Sequence, residues 1–148
     1  MTKVERLLTT AQGRLAVINS NALLIDAARL LNGPKFNLVI VCDDGGRMIG
    51  IITKTDVVGH ISQCTGCSCT MAASNVMTTK VAFCRPEDWL NDVWSTIKQR
   101  NLKNVPVVDQ VSKPIGVLNA RDVLQSLLDD VEYEEQLLRD YVMCVGYR

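Results

Sequence analysis

The chain contains an internal duplication with an offset of 66 residues. The segment GIITKTDVVGHI at 50–61 recurs as GVLNARDVLQSL at 116–127, so Asp56 and Asp122 hold the same place in each copy. A duplicated segment dictates architecture, because each copy folds as the same unit and the copies pack together. Further pairs align at this offset, and no gap is needed between residues 14 and 63: Asp26 with Asp92, Val39 with Val105, Val41 with Val107, and Asp43 with Asp109.

Each copy has the apolar pattern of a strand, a helix, two further strands and a second helix. The first helix carries an apolar stripe that the offset reproduces, formed by Leu24, Ala27, Ala28 and Leu31 and then by Leu90, Val93, Trp94 and Ile97. The strands are short apolar runs at 14–18, 38–42 and 48–52, and at 80–84, 104–108 and 114–118. We expect an α/β (α+β) fold of two tandem β-α-β-β-α units related by a pseudo-twofold axis, because a unit of about 50 residues buries too little surface alone.

Amphipathic segments flank the two units. A stripe at Val4, Leu7, Leu8 and Ala11 predicts a short N-terminal helix. Residues Leu137, Leu138, Tyr141 and Val142 predict a C-terminal helix that covers an exposed edge or joins a dimer. Gly33-Pro34 predicts a left-handed glycine cap after the first helix. The predicted divisions are a first unit at 5–63, a linker at 64–75, a second unit at 76–130 and an amphipathic C-terminal helix at 131–148.

Charge and composition exclude several classes of partner. Sixteen Lys and Arg balance sixteen Asp and Glu without a basic stripe, which argues against nucleic acid and anionic membranes as partners. No apolar run reaches the roughly 18–20 residues needed to span a bilayer. The N-terminus lacks the apolar core of a signal peptide. We therefore expect a cytoplasmic protein whose six cysteines are thiols or ligands, not disulfides.

The repeated unit resembles a known family. A β-α-β-β-α unit that ends in G-h-h-[ST]-x-x-D and occurs twice resembles the cystathionine-β-synthase (CBS) domain, and the pair resembles a small bacterial Bateman module. VMTTKV at 76–81 and NVPVVD at 104–109 are also similar to family segments, and the resemblance covers roughly residues 5–130. It implies a non-catalytic regulatory protein, a homodimer, that senses AMP, ADP, ATP, NAD or S-adenosylmethionine between paired units. A conformational shift would then signal to an unidentified downstream protein.

The family's binding positions can be assigned residue by residue. Asp56 and Asp122 are the candidate ribose ligands, because a carboxylate at a helix start can accept hydrogen bonds from both vicinal hydroxyls. Either residue would also suit an ordinary helix cap. The candidate phosphate ligands are Thr53, Thr55, Asn119, Arg121, Arg14 and Lys80. The candidate adenine walls, which suit a core equally well, are Leu15, Val17, Val39, Ile40, Val81, Val105, Pro106 and Val107. We favour the Arg121–Asp122 pair as the better phosphate site.

A cysteine cluster lies between the two units. Cys64, Cys67 and Cys69 form C-x2-C-x-C, and His60 precedes them by one helical turn. Three thiolates and one imidazole would suit Zn²⁺, and thiolates also suit iron–sulfur clusters. Cys84, Cys42 or a residue of a partner chain could supply the fourth ligand instead of His60. The alternatives are a thiol redox switch or three free thiols in a loop. Metal or redox sensing through this cluster is therefore a second hypothesis for function, and a structural dimerisation module with degenerate pockets is a third.

Overall fold

The computed structural model describes residues 2–63 and 71–146, and it confirms the mixed fold of two repeated units. The first unit and its leading segment contain a 3-10 helix (Val4–Leu7), α1 (Leu8–Gly13), β1 (Val17–Asn19), α2 (Leu24–Asn32), β2 (Leu38–Cys42), β3 (Met48–Thr53) and α3 (Lys54–Gln63). The second unit and its leading segment contain a 3-10 helix (Ala73–Asn75), α4 (Leu90–Arg100), β4 (Asn104–Val108), β5 (Pro114–Asn119) and α5 (Ala120–Gly146). None of the helices described has the length and apolar character that crossing a bilayer requires.

The duplication extends to the register of the strands. β2 pairs antiparallel with β3, with Val41 opposite Gly50, and β4 pairs antiparallel with β5, with Val107 opposite Gly116. In both hairpins the register shifts one residue later. The equal register places both hairpins in the same position in their units, as a pseudo-twofold repeat requires.

The first strand differs between the units. In the first unit β1 runs parallel to β2, and the Ile40 N–H donates to the Ala16 carbonyl at 2.8 Å. The equivalent of Ile40 is Pro106, which has no N–H to donate. The strand expected at 80–84 is therefore reduced to a single parallel bridge at Cys84.

Each unit buries a segment that belongs in sequence to the other. Val4 and Ala11 lie in the segment that leads into β1 of the first unit, but they are buried in the core of the second, against α4 and β5. Ala73 leads into the second unit but lies in the core of the first, where Thr78 pairs with Ile51 of β3. Because the segments are exchanged, separating the units would open both cores.

A third cluster joins the two sheets. Leu38, Ile40 and Cys42 of β2 pack against Val117 of β5. These side chains are nearly or completely buried. The sheets therefore pack face to face, and the pseudo-twofold axis passes through a shared apolar layer.

Two helix ends differ from the sequence-based expectation. Gly33 has φ −81° and ψ 167°, which is extended and not left-handed. Pro34 explains the difference, because a residue before proline is confined to extended backbone. The equivalent helix α4 instead ends with Asn101 at φ 52°. The helix expected to begin at 131 is the continuation of α5, since no Gly or Pro interrupts the chain between Ala120 and Gly146.

Candidate ligand-binding site

The start of α3 is organised by a reciprocal cap. The Asp56 N–H donates to Thr53 Oγ1 at 3.4 Å, and Asp56 Oδ2 accepts from the Thr53 N–H at 3.0 Å. This arrangement is a capping box with Asp in place of the usual Glu. Thr78 Oγ1 also lies 3.4 Å from each carboxylate oxygen of Asp56. Asp56 is thus part of the helix cap, and its half-buried carboxylate accepts hydrogen bonds from the hydroxyl groups of Thr53 and Thr78.

The start of α5 is organised differently. Asn119 Oδ1 accepts from the Arg121 N–H at 2.9 Å and provides the cap. Asp122 is therefore released from capping, and its Oδ2 accepts from Arg14 Nε at 3.1 Å and lies 3.0 Å from Arg14 Nη2. The two side chains are 33% and 27% exposed, so the ion pair is only partly screened by water. The equivalent of Arg14, Lys80, is exposed.

A cleft of about 460 Å³ lies between the units, and we call it the inter-unit cleft. It contains the starts of both repeated helices, with Thr53 and Thr55 on one side and Asn119 on the other. Helix starts present free N–H groups and the positive end of the helix dipole, which favour anions. The lining residues are Asn37, Leu38, Ile51, Thr53, Lys54, Thr55, Asn101, Leu102, Lys103, Asn104 and Asn119.

The lining of the inter-unit cleft is positively charged. Lys54 and Lys103 line it, and no Asp or Glu is among its lining residues. Sequence reasoning missed both lysines because neither recurs in the other copy of the repeat. Ala120 stands at the position equivalent to Lys54, and Asn37 at the position equivalent to Lys103. Only their positions in the chain could have indicated them, because Lys54 is the first residue of α3 and Lys103 directly precedes β4.

The predicted ribose ligands occupy different surroundings. Asp56 is linked to the inter-unit cleft through its hydrogen bonds to Thr53, which lines the cleft. Asp122 lines another cavity, of about 270 Å³, between α5 and the N-terminal segment. That cavity is acidic, with Asp129 and Asp130 facing Arg6.

The other predicted ligands are divided between surface and core. Arg121 and Lys80 are exposed outside the lining of the inter-unit cleft. Among the predicted adenine walls, Leu15 and Val81 are half-buried and Val17 is 43% exposed, so these three can meet a ligand without repacking. The remaining five are buried, namely Val39, Ile40, Val105, Pro106 and Val107.

The linker cysteines lie outside the described residues, so the structure leaves the metal and redox hypotheses as predictions. These residues are Cys64, Cys67 and Cys69. His60 lies half-buried on α3, and its Nε2 has no hydrogen-bond partner among the described residues. Within 2–63 and 71–146, no three His, Cys, Asp or Glu side chains form a group that could hold a metal ion.

Cys42 and Cys84 are buried thiols. Burial, with a smaller contribution from Asp88, raises the pKa of Cys84 to about 12. Burial, and then Asp43, also raises the pKa of Cys42. Metals bind the thiolate, so both side chains are poor ligands where they stand.

Comparison with known proteins gives the family. The chain matches the CBS domain over residues 4–63 and 73–129. L-aspartate semialdehyde sulfurtransferase from Methanocaldococcus jannaschii is 25% identical over 105 residues, which are 71% of this chain but 20% of that protein, so the chain spans about a fifth of this relative.

Solved structures share the fold over nearly their whole length. The CBS domain pair of protein MJ0100, in complex with 5′-methylthioadenosine and S-adenosyl-L-methionine, superposes with a TM-score of 0.72 at 22% identity, covering 88% of this chain and 98% of that one. CBSX2 in complex with AMP superposes with a TM-score of 0.72 at 22% identity, covering 87% and 98%. With two matched segments that span most of its length, the chain belongs to the CBS domain family as a tandem pair.

Proposed function

We propose that this CBS pair is a non-catalytic regulatory module that binds an adenine nucleotide in the inter-unit cleft. One observation carries the proposal: two helix starts and two lysines converge on a single cleft of about 460 Å³. That volume lies within the range typical of small-molecule sites. The complexes of structural neighbours with AMP and with S-adenosylmethionine support an adenosine-containing ligand.

The charge of the cleft favours a phosphate-bearing ligand. Lys54 and Lys103 would attract the phosphate, and the start of α3 would bind it through its N–H groups. The first two N–H groups of α5 already donate to the Lys103 carbonyl and to Asn119 Oδ1. S-adenosylmethionine carries a cationic sulfonium, which these lysines would repel. We therefore propose AMP, ADP or ATP ahead of S-adenosylmethionine, with NAD as a further candidate because it also carries phosphate.

The remaining parts of the nucleotide have partners near the helix starts. Asp56 is the proposed ribose ligand, because Oδ1 has only a long contact to Thr78 and keeps accepting capacity. Leu38, Ile51 and Leu102 provide apolar surface in the cleft for the adenine. The ligand would signal by stabilising one relative arrangement of the units, which requires a different affinity for each arrangement.

Titration calorimetry with AMP, adenosine and S-adenosylmethionine tests this function. We expect AMP to bind most tightly, and the double variant Lys54→Met/Lys103→Met to lose the advantage of AMP over adenosine. Both lysines are exposed, so the double variant should fold normally. If no adenine nucleotide binds, the module is structural and the proposal is wrong.

The ribose contact has its own test. We expect Asp56→Asn to weaken AMP binding by about 10–100-fold, the loss of a charge-assisted hydrogen bond. Binding of 2′-deoxy-AMP should change much less, since that ligand lacks one of the two hydroxyls.

Asp26→Asn is the matched control for the ribose test, because Asp26 is a first-turn carboxylate of α2 in the same unit and pairs with Arg29, which does not line the cleft. Equal losses for AMP and 2′-deoxy-AMP in the Asp56 variant would contradict the ribose assignment.

A further inference from the structure

Helix α5 continues past the last contacts with the folded body. Asp130 still accepts a hydrogen bond from Thr2 and lies 3.8 Å from Arg6 Nη1. Every residue from 131 to 143 is exposed. Seven apolar or aromatic side chains in this stretch are 51–67% exposed: Val131, Tyr133, Leu137, Leu138, Tyr141, Val142 and Met143. A helix of about this length is marginal in water without packing, so the extension needs a partner surface.

One face of α5 has the spacing of a coiled coil. Positions 124, 128, 131, 135, 138 and 142 alternate steps of four and three residues, and we call them the α5 seam. Five of the six are apolar and 38–64% exposed: Leu124, Leu128, Val131, Leu138 and Val142. At 1.5 Å per residue the seam is about 27 Å long. A sustained period of 3.5 keeps these side chains facing a second helix of the same period.

We propose that the α5 seam is covered by the α5 seam of a second copy of this chain, in a parallel two-stranded coiled coil. A parallel, in-register pair places each apolar seam residue beside its own counterpart. Glu134 and Arg139 flank the seam on opposite sides. In a parallel coiled coil the residue at the position of Glu134 faces the residue five positions later in the other helix, which is the partner's Arg139.

The one charged seam residue, Glu135, opposes this arrangement, because an in-register pair places its carboxylate beside Glu135 of the second copy. Glu135 Oε1 accepts from Arg139 Nη2 at 2.8 Å within the same helix, which offsets part of this repulsion. The extension carries an excess of acids, namely Glu132, Glu134, Glu135 and Asp140 against Arg139. Added salt should therefore strengthen the dimer by screening this repulsion.

Sedimentation equilibrium of the full chain, at low and high salt, tests the interface. We expect a dimer in which Leu138→Asp raises the dissociation constant by at least about tenfold, because a buried Leu is replaced by a charge. Tyr133→Asp is the matched control: Tyr133 is 65% exposed, as Leu138 is 64% exposed, but lies outside the seam. Both sites are exposed in the protomer and lie beyond the folded body, so the thermal unfolding of that body should be the same in both variants.

Charge reversal tests the parallel orientation. Glu134→Arg should weaken the dimer by placing two guanidinium groups face to face, although it reduces the overall acidic excess. Adding Arg139→Glu to this variant should restore the stability of the dimer. A monomeric wild-type chain, or a dimer indifferent to Leu138→Asp, would overturn the interface. A double charge-reversal variant that stays as weak as the single variant would overturn the orientation. None of these outcomes depends on nucleotide binding, so the inference stands or falls separately from the proposed function.

Discussion

Asp56 and Asp122 are equivalent in the repeat but differ in the charge of their partners. Asp56 accepts hydrogen bonds from neutral hydroxyl and amide groups, whereas Asp122 is paired with the Arg14 guanidinium. A ligand hydroxyl at Asp122 must compete with a cation, and one at Asp56 need not. The sequence-based preference for the second site depended on Arg121, which is exposed and contributes its backbone to the cap. We therefore propose Asp56 ahead of Asp122 as the ribose ligand.

At Asp122 we predict that Arg14→Gln strengthens the binding of adenosine several-fold, because the carboxylate is freed for the ribose. The free energy of unfolding should fall by no more than about 1 kcal/mol, since the ion pair is partly exposed. Lys80→Gln is the control, at the equivalent position in the other unit. Calorimetry with adenosine, which lacks phosphate, measures the effect. Equal affinities of the Arg14→Gln and Lys80→Gln variants would show that Arg14 does not compete with the ribose for Asp122.

At the scale of elements, two glycines set how closely the exchanged segments approach the sheets. A Cβ at Gly116 would lie 2.8 Å from Ala11 Cβ, and one at Gly50 would lie 2.6 Å from Met77 Sδ. Ala11 and Met77 are themselves separated by the repeat offset of 66 residues. The glycine in each copy of the motif therefore allows the other unit's leading segment to pack on the strand.

We predict that Gly116→Ala lowers the free energy of unfolding by about 1–3 kcal/mol, because the new methyl group overpacks a contact that includes backbone atoms of Ala11. Gly59→Ala is the control, since nothing lies within 4 Å of its Cβ position in α3. This control should stabilise by about 0.5–1 kcal/mol through helix propensity. Urea denaturation measures both, and a stable Gly116→Ala protein would contradict the close packing.

At the scale of the whole molecule, the exchange makes the two units depend on each other. Val4 is completely buried in the second unit's core although it precedes the first unit in sequence. The Met48 N–H of the first unit donates to the Ser112 carbonyl of the second at 2.9 Å. A shared apolar layer and exchanged segments favour one cooperative unfolding transition.

We predict that Val4→Ala destabilises both units together, by about 1–3 kcal/mol. Amide hydrogen exchange should report equal losses of protection in β2 and β4, although Val4 contacts only the second unit's core. Val17→Ala, at a position 43% exposed, is the control. Loss of protection in β4 alone would show that the units unfold independently.

Much of the candidate site was foreseeable, and the rest depended on contacts. Thr53, Thr55 and Asn119, which the repeated motif marks as candidate phosphate ligands, line the inter-unit cleft, and their binding of phosphate stays a prediction. Lys54 and Lys103 were not foreseen, because a lone surface lysine carries no sequence signal of what faces it. The missing hydrogen bond at Pro106 could have been read from the sequence, since proline lacks the N–H that its equivalent donates.

By itself the sequence determined the repeat and, apart from the strand expected at 80–84, the order of strands and helices, because local periodicity and turn residues specify these features. Only the tertiary structure decided which unit buries each leading segment, which cation or hydroxyl meets each Asp, and which residues share the cleft. Those outcomes join residues that are far apart in sequence, such as Arg14 and Asp122, which are 108 positions apart. Two repeated units offer each segment nearly the same apolar surface, with a glycine at the same place in each, so a sequence pattern cannot choose between them.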